Sequence, residues 1–169
     1  MPKPPTLDRA QVQAWLDHMS RRPDEPLFDV RGDTLPASAI DAFVANADRD
    51  AVPKQQRTRY GLTVHRAALR SFPTLERVFD ERGDTDIDRF QESALFPGTP
   101  VAIVHASRDG EWLFVVSPRY AAWALIAVAG AVVAVWPTTA NSPGRKIGTR
   151  PSLGSRTGSM PSNSASSGK

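Results

Sequence analysis

The sequence predicts a protein of mainly β structure with helices at its N-terminus, an α+β arrangement in which short strands form a small β-barrel. Apolar residues recur with helical spacing before residue 48. After Tyr60, runs of β-branched and aromatic residues alternate with turn residues, as in short strands at close spacing. The 169 residues suit one domain with an extension.

Two helices are expected in the N-terminal part. Apolar residues at spacings of about three to five predict the first helix over residues 7–20, which Pro23 ends. A second apolar stripe predicts a helix over 37–47, with Asp33 or Thr34 as its cap and Pro36 in its first turn. Residues 48–59 are rich in Arg and Gln and are interpreted as a linker.

The strongest strand signal is a hairpin. Residues 99–107 and 111–117 are rich in β-branched and aromatic side chains, and Asp109-Gly110 between them is typical of a tight turn. Weaker strand signals cover 61–64, 68–72 and a strand that begins at Ala121, whereas 76–91 are predicted to form a charged loop.

The C-terminal part changes character after residue 120. Residues 121–136 are uninterruptedly apolar, and 137–169 contain 8 Ser and four Pro, a composition that predicts disorder. Three interpretations of the apolar run stay open. The first is a membrane-spanning helix, because residues 120–137 just reach the roughly 17 residues that such a helix requires. The second is that the run is the product of a shifted reading frame near residue 124. The third is a buried strand or helix.

Charge and composition exclude several functions. Residues 1–119 carry 16 Lys and Arg against 18 Asp and Glu, and the basic excess belongs to 120–169. The folded part is therefore near neutral, which disfavours nucleic-acid binding, and no nucleic-acid partner is expected. The absence of Cys excludes disulfides, thiolate metal sites and a cysteine nucleophile in this chain. The three histidines have no metal-ligand spacing, and no metal or cofactor is expected. The N-terminus lacks the apolar segment of a signal peptide.

Four segments taken in order resemble a known family. Residues 61–74, 86–101, 105–112 and 120–123 together resemble the first bacterial SH3-like (SH3b) domain of NlpC/P60-type cell-wall cysteine peptidases, and the helices resemble the N-terminal stabilising segment of those proteins. The implied domains are a helical region over 1–59, an SH3-like barrel over 60–124, and the apolar run with its tail over 125–169. Strand alternation then gives the barrel core as Leu62, Val64, Leu69, Val101, Ile103, Leu113, Val115 and Trp123.

The resemblance implies a site and a place of action. In this family the first SH3-like domain helps to hold the free amino end of the peptidoglycan stem peptide, a task that suits a carboxylate and a tyrosine. By motif position and chemistry, Glu92 and Tyr120 are the candidates, and Trp112 is a further aromatic candidate for apolar or sugar faces, with a place in the core as its alternative. The partner is then a peptidoglycan stem peptide or glycan, and the location is the cell envelope or periplasm.

The chain also departs from the family. With no nucleophile and no second SH3-like or peptidase domain, we expect a non-catalytic wall-binding or substrate-positioning module, truncated from a hydrolase. Two alternatives stay open, namely a membrane-anchored interaction protein with 120–137 as its span, and a non-functional remnant.

Overall fold

A computed structural model describes residues 6–126 and the backbone of 134–136. It confirms a mainly β protein with two short helices. In chain order, the elements are β1 (Thr6–Asp8), α1 (Arg9–Met19), α2 (Ala37–Asn46), β2 (Gln55–Arg57), β3 (Arg59–Leu62), β4 (Ala67–Arg70), β5 (Gln91–Leu95), β6 (Pro100–Ala106), β7 (Trp112–Val116), β8 (Ala121–Leu125) and β9 (Ala134–Trp136).

The strands form two antiparallel sheets. Strands β1 and β2 pair only with each other, and the seven-stranded sheet has the order β5-β4-β8-β7-β6-β3-β9. Strand β4 therefore lies between β5 and β8, which brings the ends of those two strands near each other. In the part of the chain that the structure describes, β5 and β9 are the edge strands and no pairing closes the barrel completely. This sheet is consistent with the predicted SH3-like architecture.

Both predicted helices are present. The Asp8 carboxylate caps α1 by accepting a hydrogen bond from the Gln11 backbone N–H at 2.8 Å. For α2, the expected cap at Asp33 or Thr34 is wrong, since the cap residue is Pro36 and no side chain caps the helix. Thr34 instead forms a β-bridge with Phe28, which removes it from the helix end.

Two predictions about irregular segments need correction. Residues 48–59 are not simply a linker, because they contain a 3₁₀ turn at Arg49–Ala51, the strand β2 and the start of β3. Strand β5 was not expected, because its polar residues Gln91, Glu92 and Ser93 lack a strand pattern. The segment forms a strand because it pairs with β4, although its composition does not indicate one.

The predicted hairpin is confirmed as β6 and β7. The Gly110 N–H donates to the Ser107 carbonyl at 3.0 Å, and Gly110 has φ +74°, a conformation that favours glycine. The next reversal is a turn in which the Ser117 N–H donates to the Tyr120 carbonyl at 2.7 Å. It leads directly into β8, the strand expected to begin at Ala121.

Helix α1 packs on the sheet through a shared core. Val12 and Leu16 from the helix lie in one buried cluster with Phe114 and Trp123 from β7 and β8. A second cluster within the sheet contains predicted core residues: Leu69, Val101, Ile103, Leu113 and Val115.

The prediction was wrong for the two core residues placed at and just after β3. Leu62 and Val64 are 49% and 42% exposed, whereas the residue before each of them, Gly61 and Thr63, is buried. The Thr63 N–H donates to the Thr99 carbonyl at 3.1 Å, and the Thr63 hydroxyl donates to the Phe96 carbonyl, so its polar groups are satisfied inside. Because alternate residues point to opposite faces, a one-residue offset exposes both apolar side chains.

The structure does not support the helical membrane span over 120–137 that was one of the three interpretations of the apolar run. Residues 121–125 are strand β8, and 134–136 pair with β3 as strand β9. Within 6–126 and 134–136, no helix is long and apolar enough to cross a membrane. The predicted disorder of 137–169 lies outside the described residues. The shifted reading frame near residue 124 and the three domain boundaries stay predictions.

Candidate binding site

The structure brings Glu92 and Tyr120 together. The Tyr120 hydroxyl donates a hydrogen bond to Oε2 of Glu92 at 3.0 Å, across 28 residues of chain. Glu92 is the second residue of β5, and Tyr120 immediately precedes β8. Their strands flank β4 on opposite sides, so the sheet order accounts for the meeting of two residues that are distant in sequence.

The turn before β8 fixes the position of Tyr120. The Tyr120 N–H donates to the Ser117 hydroxyl at 3.0 Å, and the Tyr120 carbonyl accepts from the Ser117 N–H at 2.7 Å. Pro118 follows Ser117, and its ring restricts the backbone φ angle at this position of the turn. The tyrosine ring is therefore held at a defined place at the end of the β7–β8 hairpin.

Tyr120 is protonated at neutral pH. The hydrogen bond to the Glu92 carboxylate, helped by partial burial and by the negative charge, raises the pKa of Tyr120 above its usual value of 10.0. The phenol is therefore protonated and is a donor, and Glu92 is the acceptor. Among the described residues, Glu92 forms no ion pair.

An open depression of about 340 Å³ surrounds the pair. It is lined by Glu92 and Tyr120 together with His18 and Met19 from α1, Arg119 from the turn, and Ala121. Neighbouring depressions adjoin it on both sides, one through Met19 and Glu92 and the other through Arg119 and Tyr120. The depression that contains the pair therefore shares lining residues with two others.

Trp112 is not part of this site. It is only 3% exposed and packs in the cluster that contains Val12, Leu16, Phe114 and Trp123. Its small exposed edge faces a different depression, beside Phe43 and Pro73. Trp112 is therefore a core residue, as the alternative interpretation expected. A role for Trp112 in binding stays a prediction, and no exposed ring face supports it.

Four residues that line the depression were not predicted from the sequence, and two of them, His18 and Arg119, have polar side chains that could contact a ligand. His18 reaches it from the last turn of α1, and Arg119 reaches it from the turn before β8. Nothing in the sequence indicates that α1 packs against β8, because that contact depends on the tertiary fold. Arg119 could have been found from its position next to Tyr120. Among the residues that the structure describes, no group of three or more His, Asp or Glu could hold a metal ion.

Comparison with known proteins identifies a domain family. Residues 73–124 match the family described as SH3 domain (SH3b1 type). A solved structure titled as a novel NlpC/P60 endopeptidase from Photobacterium damselae subsp. piscicida has a TM-score of 0.59 at 18% identity, and the match covers 75% of this chain. The chain spans only 28% of that protein's length. No curated protein matches the chain significantly.

These findings confirm the resemblance drawn from the sequence. Residues 73–124 match an SH3 domain of the SH3b1 type, and the fold of the chain is similar to that of the NlpC/P60 endopeptidase. Such a domain is a binding module, and no catalytic domain is evident in the matched part.

Proposed function

We propose that this chain, as a protein with an SH3 domain of the SH3b1 type, binds cell-wall peptidoglycan without catalysing its hydrolysis. In this proposal it acts at the cell envelope and holds the free amino end of a stem peptide at Glu92 and Tyr120. The hydrogen bond of 3.0 Å between these two side chains at an open depression is the observation that carries the proposal.

The chemistry of the pair suits an ammonium group. An ammonium offers three donors, and an ionised carboxylate accepts through two oxygens, of which the Tyr120 hydroxyl engages Oε2. A peptide ammonium can therefore bind Glu92 and use the lone pairs of the phenol oxygen as a second acceptor. Charge-assisted hydrogen bonds of this kind are stronger than those between neutral groups.

Exposure limits the affinity of the site. Glu92 is exposed and Tyr120 is half-buried, so water screens the charge on the carboxylate. We expect weak binding of a single peptide, and stronger retention on a polymer that presents many copies of it. This behaviour fits a module that positions a substrate at a surface.

A sedimentation assay with insoluble peptidoglycan tests the proposal. The full chain is incubated with peptidoglycan that carries free amino ends, and the bound fraction is measured after centrifugation. We expect Glu92→Gln and Tyr120→Phe to reduce retention severalfold, because the first removes the charge and the second removes the hydroxyl. Acetylation of the peptidoglycan amino groups should reduce retention of the unmodified chain to the same degree.

Matched controls separate this site from general charge effects. Glu81→Gln removes an exposed acid in the loop before β5, and Tyr60→Phe removes the hydroxyl of an exposed tyrosine on β3. Both controls should retain the binding of the unmodified chain. Retention that is unchanged in Glu92→Gln and Tyr120→Phe, or that does not depend on free amino groups, would overturn the proposal.

A further inference from the structure

Arg119 and Glu92 line the same depression without pairing with each other. Their side chains carry opposite charges, and no nitrogen–oxygen distance between them is within 4.0 Å. Within the described residues, the Arg119 side chain makes no hydrogen bond, ion pair or ring contact. The depression is thus lined by an acidic and a basic side chain that do not form an ion pair with each other.

The other arginines that follow β3 in the described part of the chain differ from Arg119 in this respect. All six other arginines between residues 60 and 126 have a partner. Arg70, Arg89 and Arg108 pair with aspartates, and Arg66, Arg77 and Arg82 lie over phenylalanine rings. An exposed arginine is not by itself a binding residue, but this one shares its depression with the Glu92–Tyr120 pair.

Hydrogen bonds of the turn before β8 hold the backbone at Arg119 in place. It lies between Pro118 and Tyr120 inside the turn closed by two hydrogen bonds between Ser117 and Tyr120, at 2.7 and 3.0 Å. The turn that fixes the phenol therefore also fixes the origin of the Arg119 side chain. A planar guanidinium at such a position can bind a carboxylate through two parallel hydrogen bonds.

We infer that Arg119 binds a carboxylate of the same ligand whose amino end Glu92 and Tyr120 hold. The inference rests on the proposed function and adds a second point of recognition to it. An extended peptide advances by about 3.3–3.6 Å per residue, so a dipeptide places its two charged ends about 7 Å apart. The inferred ligand is a short peptide, such as a dipeptide, that has both a free amino end and a carboxylate.

The test uses the full chain and three small probes. L-alanyl-L-alanine has both charged ends, its C-terminal amide lacks the carboxylate, and its N-acetyl derivative lacks the ammonium. Binding is measured from the shifts of backbone amide signals in NMR titrations. We expect the amide to bind about tenfold more weakly than the free dipeptide, since a charge-assisted contact is lost.

Two variants assign this effect to Arg119. Arg119→Gln should bind the free dipeptide about tenfold more weakly, and it should no longer distinguish the dipeptide from its amide. Arg59→Gln removes the charge of another exposed arginine, on β3, and should behave like the unmodified chain. Because Arg119 is exposed within a turn, we expect Arg119→Gln to fold normally. A thermal unfolding curve that matches that of the unmodified chain will verify this.

The outcomes separate this inference from the proposed function. If Arg119→Gln still prefers the free dipeptide over its amide, while the N-acetyl probe binds weakly, the inference about Arg119 is overturned and the amino-end site stands. If acetylation and amidation both leave binding unchanged, both are overturned. If binding depends on both ends and only the preference for the carboxylate disappears in Arg119→Gln, the inference is supported.

Discussion

The indole N–H of Trp123 donates a hydrogen bond to the Ser20 hydroxyl at 2.9 Å and joins strand β8 to the end of helix α1. Trp123 is fully buried, and the Ser20 hydroxyl itself donates to the Ser71 carbonyl at 2.7 Å. The two bonds tie the N-terminal helix to the centre of the sheet. This attachment also places His18 and Met19 beside the Glu92–Tyr120 pair.

Ser20→Ala should destabilise the fold. The substitution leaves the buried indole N–H of Trp123 without its acceptor, which costs about 1–3 kcal/mol. We expect a decrease of that size in the free energy of unfolding, measured by urea denaturation. Ser38→Ala, at an exposed position of α2, should change it by less than about 0.5 kcal/mol. Equal effects of the two substitutions would show that the bond to Trp123 contributes nothing to stability.

The buried ion pair between Arg70 and Asp88 is a second stabilising contact. Nη1 of Arg70 lies 2.8 Å from Oδ2 of Asp88, and both side chains are at most 10% exposed. Asp88 also accepts the Phe90 N–H at 3.0 Å, which orders the chain just before β5. Asp88→Asn should lower the free energy of unfolding by about 3–5 kcal/mol, because it leaves a buried guanidinium without its counter-charge.

An exposed ion pair provides the matched comparison for Asp88→Asn. Asp80 and Arg89 are 3.5 Å apart, and each side chain is about half exposed. Asp80→Asn should cost less than about 1 kcal/mol by the same urea measurement. A loss at Asp88 as small as the loss at Asp80 would contradict the structural role given to the buried pair.

His105 should make stability depend on pH. Its Nε2 lies 3.1 Å from the carbonyl oxygens of both Ala47 and Asp48, so this nitrogen carries the proton of the neutral ring. Burial lowers the pKa of His105 below its usual value of 6.5, and the two carbonyls only partly offset this effect. The unfolded chain therefore binds a proton more readily than the folded chain does.

The sign of this pH effect follows from the lowered pKa. The contribution of neutral His105 is fully present above about pH 6.5. As the pH falls below that value, stability decreases by up to about 1.4 kcal/mol per pH unit until the folded state also takes up the proton. Urea denaturation at a series of pH values should show this loss in the unmodified chain and in His65→Gln, where an exposed histidine is replaced. The His105→Gln variant should lack it, and an identical pH profile in all three proteins would contradict the prediction.

The contact between Glu92 and Tyr120 can be detected without a ligand. The chain has 2 Tyr, so Tyr60→Phe leaves Tyr120 as the only phenol, whose ionisation is followed by ultraviolet absorbance. We expect its pKa to lie above 10.0 and to fall toward that value when Glu92→Gln is added, because the main cause of the rise is removed. A Tyr120 pKa that does not respond to Glu92→Gln would mean that the two side chains are not hydrogen-bonded in solution.

Local signals in the sequence predicted the elements that depend on local structure. The hairpin of β6 and β7 was predicted because Asp109-Gly110 and the flanking β-branched residues act within a few positions of each other. Helix α1 was predicted from its apolar spacing. Strand β5 was missed because its order comes from pairing with β4, which no local pattern records.

Burial at β3 shows a second limit. Gly61 and Thr63 face inward, whereas the apolar side chains of Leu62 and Val64 face outward. The apolar pattern therefore predicted the wrong buried face for this segment. The Glu92–Tyr120 pair came from the family resemblance and from the chemistry of the two residues, because a spacing of 28 residues carries no geometric signal. His18 and Arg119 could be placed only once α1 and the turn before β8 were located.

If Glu92 and Tyr120 bind the free amino end of peptidoglycan, as proposed, NMR mapping should locate the bound ligand at these two residues. The ¹⁵N-labelled full chain is titrated with soluble peptidoglycan fragments that carry a free amino end. We predict that the largest shifts occur at the backbone amides of Glu92, Ser93, Tyr120 and Ala121. Shifts centred instead on the depression beside Trp112, Phe43 and Pro73, or no shifts at all, would contradict the account.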